Sequence, residues 1–264
     1  MLRDILVILA VCVVLAGAAL AVQRLLVPRQ PDTSGIAANL DRSLGSLVRE
    51  QVQATQKVLD VEPAQDDLDR ILQRLQSALP EPRPDLQVLV VQSPVVNAFT
   101  IPGDTIFVDT ALIQALDSAD ELAGVLGHEA SHAVNRDPLT MLMRRLGMAA
   151  LVNAVSGGRG APMLSDMAQT MIDVRYGREA EDRADAFSVR VLASAGNPHD
   201  SFARALERIR DSAPKEPELL KYLDPHSPID QRTDRARELA RRQSFTPRPL
   251  RVDWDRLLKS LPKR

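Results

Sequence analysis

The sequence predicts an α+β fold, mainly α-helical, with one small antiparallel sheet and an apolar segment ahead of it. Three observations carry that expectation. Most of the chain after residue 35 repeats its apolar residues at helical spacing. Residues 86–108 instead read as short β-branched runs, broken by Pro94 and by Pro102-Gly103. Residues 5–22 are apolar without interruption. A chain of 264 residues, 45% of them hydrophobic, can bury one full core with a small appendage.

The apolar run is preceded by Arg3 and Asp4 and followed by Arg24 and Arg29. At about 1.5 Å per residue it is just long enough to cross a bilayer. Residues 1–27 are therefore expected to be an N-terminal membrane anchor, a single pass. A cleaved signal ending near Ala16-Gly17-Ala18 is the alternative. Residues 28–85 are expected to hold a linker (28–35) and two scaffold helices. The first runs through Ile36, Leu40, Leu44 and Leu47 to Val58, the second through Leu68, Ile71, Leu72 and Leu75 to Leu79. The single Cys12 allows neither a disulfide nor a thiolate metal site within one chain. A net charge of −2 and 3% aromatic residues argue against a nucleic-acid partner.

Leu86–Val91, Val95–Thr100 and Thr105–Val108 are the expected strands, with Pro94 and Pro102 pointing to an edge. Asp109 or Thr110 is placed to cap a short helix reaching Leu116. The next helix opens on a capping box, Ser118 with Glu121, and carries Leu122, Val125 and Leu126 as its apolar stripe. It contains His128-Glu129-Ala130-Ser131-His132, an H-E-x-x-H pattern. On a helix the two imidazoles project from one face, one turn apart, a spacing that grips one small cation. Glu129 is turned roughly 100° from His128, so it reaches a water rather than joining the ligand stripe. Zinc accepts such ligands and keeps a position open in catalytic sites. It lowers the pKa of a water to about 7, and a carboxylate then takes the proton. One Zn²⁺ per chain is expected, with Glu129 as catalytic base. The bland reading is a solvated surface helix. Against it, two of only four histidines in the chain fall in this pattern.

Asp137-Pro138 opens a helix expected to reach Val155, followed by a loop over 156–162 and a helix from about Met163 to Ala195. That helix holds the acidic candidates for a third ligand: Glu179, Glu181, Asp182 and Asp185. Glu181 and Asp185 are four apart, so one can bind metal while the other holds the second ring nitrogen of a ligand histidine. Arg178 and Arg183 in the same run also fit a salt-bridge-laced surface helix. Phe202–Ile209 and Ile229–Arg242 read as helices, 224–228 as a loop, and 244–264 as a C-terminal strap with Trp254.

These segments resemble the HtpX-like zinc metallopeptidases, a gluzincin family that includes the CAAX-prenyl endopeptidases. The family's E-x-x-A-D appears as Glu181-Asp182-Arg183-Ala184-Asp185. Its N-A-F-x-x-P-G appears from Asn97 to Gly103. Asp120-Glu121-Leu122-Ala123, Ala195-Gly196-Asn197-Pro198 and the pair His226 and Arg232 are further matches. Two positions depart: Ser227 follows His226 where the family has Pro, and Asp104 stands where a second Gly is common. The resemblance covers about residues 86–240. It implies a zincin-like metallopeptidase domain over 86–243, with Glu181 as third metal ligand and Asp185 behind the ligands. It also implies a substrate strand at Asn97, Ala98 and Phe99, with Arg232 beside it. His226 would either stabilise the oxyanion or close the open zinc position. The implied activity is zinc-dependent endoproteolysis of polypeptide substrates, unfolded or misfolded envelope proteins, by an extracytoplasmic domain tethered to the membrane. The rival is a membrane-tethered chaperone or binding module with a latent zinc site.

Overall fold

Helices follow the apolar spacing over most of the chain in a computed structural model, which describes residues 34–62, 64–158, 160–212, 228–244, 246, 248 and 250–262. The expected anchor and His226 lie outside the described residues. The chain divides into two units, residues 1–39 and residues 40–264. Of the first, only residues 34–39, the opening of one helix, are described. The second unit holds the sheet and all the other helices described.

Helix α1 (Ser34–Thr55) leads into strand β1 (Val58–Leu59) and helix α2 (Gln65–Gln76). Strands β2 (Gln87–Val91), β3 (Ala98–Ile101) and β4 (Thr105–Asp109) come next. Then come α3 (Thr110–Ala115), α4 (Ala119–Val134), α5 (Asp137–Leu146), α6 (Met148–Val155) and α7 (Ala161–Ile172). Helices α8 (Arg178–Ala195), α9 (Ser201–Asp211), α10 (Ile229–Arg241) and α11 (Trp254–Ser260) complete the described elements.

The expected antiparallel sheet is instead mixed, in the order β1-β2-β4-β3. β3 and β4 form the antiparallel hairpin, turning through Gly103 and Asp104, both at positive φ. It is β4, not β3, that docks beside β2, so those two run parallel, from Gln87 opposite Thr105 to Val91 opposite Asp109. The extra strand, β1, comes from residues that helical spacing had assigned to the end of the first helix. Val58 pairs with Val91 and Leu59 with Val90, and this long-range pairing takes them out of the helix.

Two expected long helices are each broken. Gly147, at φ +83°, separates α5 from α6; a side chain there would be strained. Residues 173–177 separate α7 from α8, and residues of this break line the candidate site. The sheet is buried on both faces. Ile106 and Val108 of β4 join a core with Leu68, Leu122, Leu126 and Phe202, while Phe107 between them joins Leu44, Val48, Phe99 and Met167. Among the described residues no helix is long and apolar enough to cross a membrane.

Helix α4 lies at the centre of the helical layer. A Cβ on Gly124 would sit 2.7 Å from the Phe202 Cα, so this glycine lets α4 and α9 touch backbone to backbone. The Ser188 hydroxyl of α8 donates to the Gly124 carbonyl at 2.6 Å. The close approach brings the histidine face of α4 against the acidic face of α8.

Candidate metal centre

The N-terminus of α4 is capped by Ser118 as expected, while the Glu121 carboxylate reaches one residue further back than a capping box requires. The Ser118 hydroxyl accepts from the Glu121 amide at 3.3 Å, and the Glu121 carboxylate accepts from the Asp117 amide at 2.7 Å. Two turns on, His128 and His132 are buried, at 3% and 1% exposure. Their Nε2 atoms lie 3.3 Å apart. Glu181 of α8 brings Oε2 to 3.4 Å from His128 Nε2 and Oε1 to 3.9 Å from His132 Nε2. Ligand-capable atoms of these three residues all lie within 4.8 Å of one another. Two imidazole nitrogens and one carboxylate are the protein donor set of a catalytic zinc, so the residues fit that ion.

Each histidine is held from behind in the same way. His128 Nδ1 lies 2.9 Å from Asp185, which receives Nε and Nη2 of Arg232 at 3.0 and 2.8 Å. His132 Nδ1 lies 2.9 Å from Asp137, whose two oxygens each lie 2.9 Å from Nη2 of Arg183. An imidazole, a carboxylate and a guanidinium thus stand in line twice. This arrangement fixes each ring with Nε2 turned to the centre. Stacking adds to it: His128 lies 5.5 Å from Phe202, and His132 lies 4.1 Å from Tyr176, ring centre to ring centre.

The charges follow from these contacts. Burial works against a charged His128, but hydrogen bonds to Asp185 and Glu181 outweigh it and raise the imidazole to about 9. Burial likewise opposes the charge on Asp185, yet Arg232 and His128 hold its carboxyl well below the usual range. Glu181 is held low by His128 and Arg232 against its burial, and Asp137 by His132 and Arg183. Glu129 behaves otherwise. It is 3% exposed, and burial pushes its carboxyl up against the pull of His132, His128 and Thr100. The Thr100 hydroxyl, on β3, donates to Glu129 Oε2 at 2.8 Å.

A cavity of about 40 Å³ opens among Asn97, His128, Glu129, Tyr176, Glu181 and Arg232. Ala98 also lines it, whereas Phe99 stacks on Phe107 in the core, 5.2 Å between centroids. Asn97 turns its amide to the Ile172 carbonyl at a long 3.5 Å. Arg232 is 1% exposed, and its bonds to Asp185 place it behind the histidines as much as beside the cavity. Two other matched segments meet: Asn197 donates to Asp120 at 2.7 Å, joining the end of α8 to the start of α4.

Sequence reasoning passed over Asp137, Arg183, Thr100 and Tyr176. Asp137 reads as a helix start because Pro138 follows it. Its place five residues after His132 was the available signal. Thr100 sits inside a matched strand motif, and Tyr176 fell inside a helix expected to be continuous.

Comparison with known proteins finds peptidases. The model of peptidase family M48 matches residues 62–240. A protease HtpX homolog of Nostoc punctiforme is 34% identical over 175 residues, 57% of this chain and 58% of that protein. A protease HtpX homolog of Pyrococcus abyssi is 26% identical over 220 residues, 66% of this chain and 73% of that protein. The mitochondrial metalloendopeptidase OMA1 of Arabidopsis thaliana is 34% identical over 110 residues, 42% of this chain. The chain spans 23% of the OMA1 relative's length and a little over half of the Nostoc protein's. Since the family model matches more than half of its residues, the chain belongs to peptidase family M48, the HtpX-like metallopeptidases.

Proposed function

We propose that the protein is a zinc-dependent endopeptidase, with His128, His132 and Glu181 holding the ion and Glu129 acting as general base. The observation that carries this reading is the convergence of those three donors within 4.8 Å beside a buried carboxylate that is not one of them. A structural metal site has no need of Glu129. Bound zinc would polarise the scissile carbonyl and acidify the attacking water. Glu129 takes a proton from that water as its oxygen attacks the carbonyl carbon. When the C–N bond breaks, Glu129 delivers the proton to the leaving amine. Thr100 keeps the carboxylate aimed throughout. Asp185 and Asp137 hold the imidazoles in place, and Arg232 and Arg183 hold those carboxylates.

The substrate reading is an extended polypeptide. β3 is an edge strand of the sheet and starts beside the cavity, so main-chain pairing along it is the natural mode. Such pairing reads backbone more than side chains, which suits unfolded or misfolded envelope proteins. The cavity is too small for a peptide, and all four β3 residues are buried. Pairing along β3 therefore requires the residues that cover it to move aside. The apolar run 5–22 supports a single-pass anchor, and the extracytoplasmic side of the catalytic domain is what the family resemblance adds.

The test is casein cleavage by the purified full chain, with zinc content measured in parallel, for wild type and Glu129→Gln. Zinc in both and cleavage in wild type alone is expected. Zinc in both with cleavage in neither supports the rival, a tethered chaperone or binding module with a latent zinc site. Cleavage surviving in zinc-loaded Glu129→Gln sinks the mechanism.

A further inference from the structure

We propose that the Tyr176 hydroxyl is a catalytic hydrogen-bond donor, directed at the oxygen that gains negative charge when the scissile carbonyl is attacked. This role rests on the endopeptidase reading. Tyr176 lies in the break between α7 and α8, five residues before Glu181. Its ring stacks on His132 at an interplanar angle of 27° and forms one wall of the cavity that Glu129, His128 and Glu181 share. Its hydroxyl is buried and has no hydrogen-bond partner among the described residues. A phenylalanine would stack equally well and leave no polar atom unmet, so packing does not account for the oxygen.

A phenol ordinarily keeps its proton up to about pH 10, so the group is a donor at neutral pH. A donor held in place before the reaction stabilises charge that appears only in the transition state. The rigid stack on His132 supplies the holding.

The experiment uses the zinc-loaded full chain, wild type and Tyr176→Phe, on a fluorogenic peptide. We expect kcat to fall about 10²-fold, the scale of one oxyanion donor, with KM within about twofold. Zinc affinity by chelator competition should be unchanged, and the thermal midpoint equal or higher, since an unmet hydroxyl has been removed. A phosphinic peptide, which imitates the tetrahedral state, should lose affinity by a factor like that in kcat. The uncleaved peptide should bind Glu129→Gln and the Glu129→Gln, Tyr176→Phe double variant alike. The chain has only two tyrosines, so 3-fluorotyrosine labelling gives a direct readout. The Tyr176 fluorine resonance should move on adding the phosphinic peptide and stay put with the uncleaved one. Unchanged kcat and phosphinate affinity overturn the proposal, as does a loss that tracks loss of zinc. A wild type that binds no zinc instead sinks the endopeptidase reading, and this with it.

Discussion

Arg232 and Asp185, 47 residues apart in sequence, face each other through two hydrogen bonds of 3.0 and 2.8 Å in a site closed to solvent. Their side chains are 2% and 4% exposed. The pair stands behind His128, so it bears on both metal affinity and folding. Asp185→Asn keeps the shape, removes the charge and leaves Arg232 buried beside a neutral amide. Zinc affinity should fall about 10- to 100-fold, the usual cost of losing such a partner. Competition with a chelator of known affinity checks it. An unchanged affinity would show that Asp185 does not orient His128.

Arg232→Met leaves the Asp185 carboxylate buried without its main cationic partner. Breaking a buried pair by removing one member costs about 3–5 kcal/mol. Chemical denaturation of the metal-free chain should show a loss of that order. The equivalent change at Arg183 should cost much less, because that side chain is 38% exposed and water can replace it at Asp137. Equal losses for the two arginines would contradict the burial argument.

Part of this site was legible in the sequence and part was not, for physical reasons. His128, Glu129 and His132 lie on one helix, where spacing alone sets which side chains share a face. Glu181 and Asp185 obey the same rule on another helix, so their pairing was readable, though only the resemblance says which of the two would face a metal. Asp137 and Arg183 reach the site from two different elements. No local pattern marks such contacts, and the Asp-Pro step had a sufficient explanation as a helix start. β1 was missed for the same reason: two residues at a helix end became a strand only because Val90 and Val91 were there to pair with. The mixed sheet depended on which strand of the hairpin docks on β2, a tertiary choice that strand patterns do not encode. Gly147 was in plain view as a helix breaker but stood in a run rich in good helix formers.

Metal binding and proton binding compete at His128. In the metal-free chain its imidazole, raised from 6.5 to about 9, contributes stability that is complete below 6.5 and lost as pH rises through about 9. Zinc needs the Nε2 lone pair, so over the same window each pH unit gained should tighten zinc binding by about tenfold. The melting temperatures of the chelated and zinc-loaded chains should therefore diverge as pH rises from 6.5 toward 9. Parallel curves would mean that His128 is already neutral at the low end of that window.

Thr100→Val tests the other side of the cavity without touching a ligand. The change is nearly isosteric and deletes only the hydroxyl that donates to Glu129. That bond favours the ionised carboxylate, so removing it raises the Glu129 pKa further above its ordinary value. A base with a higher pKa is ionised over a narrower range at the acid end. The acid limb of the kcat/KM profile should therefore move to higher pH, while zinc content stays the same. At the plateau kcat should fall roughly tenfold, as expected for losing one hydrogen bond to a charged group that must be aimed. The direction of the acid limb is the discriminating result. A shift to lower pH, or none, would mean that the titrating group in catalysis is not the carboxylate that Thr100 holds.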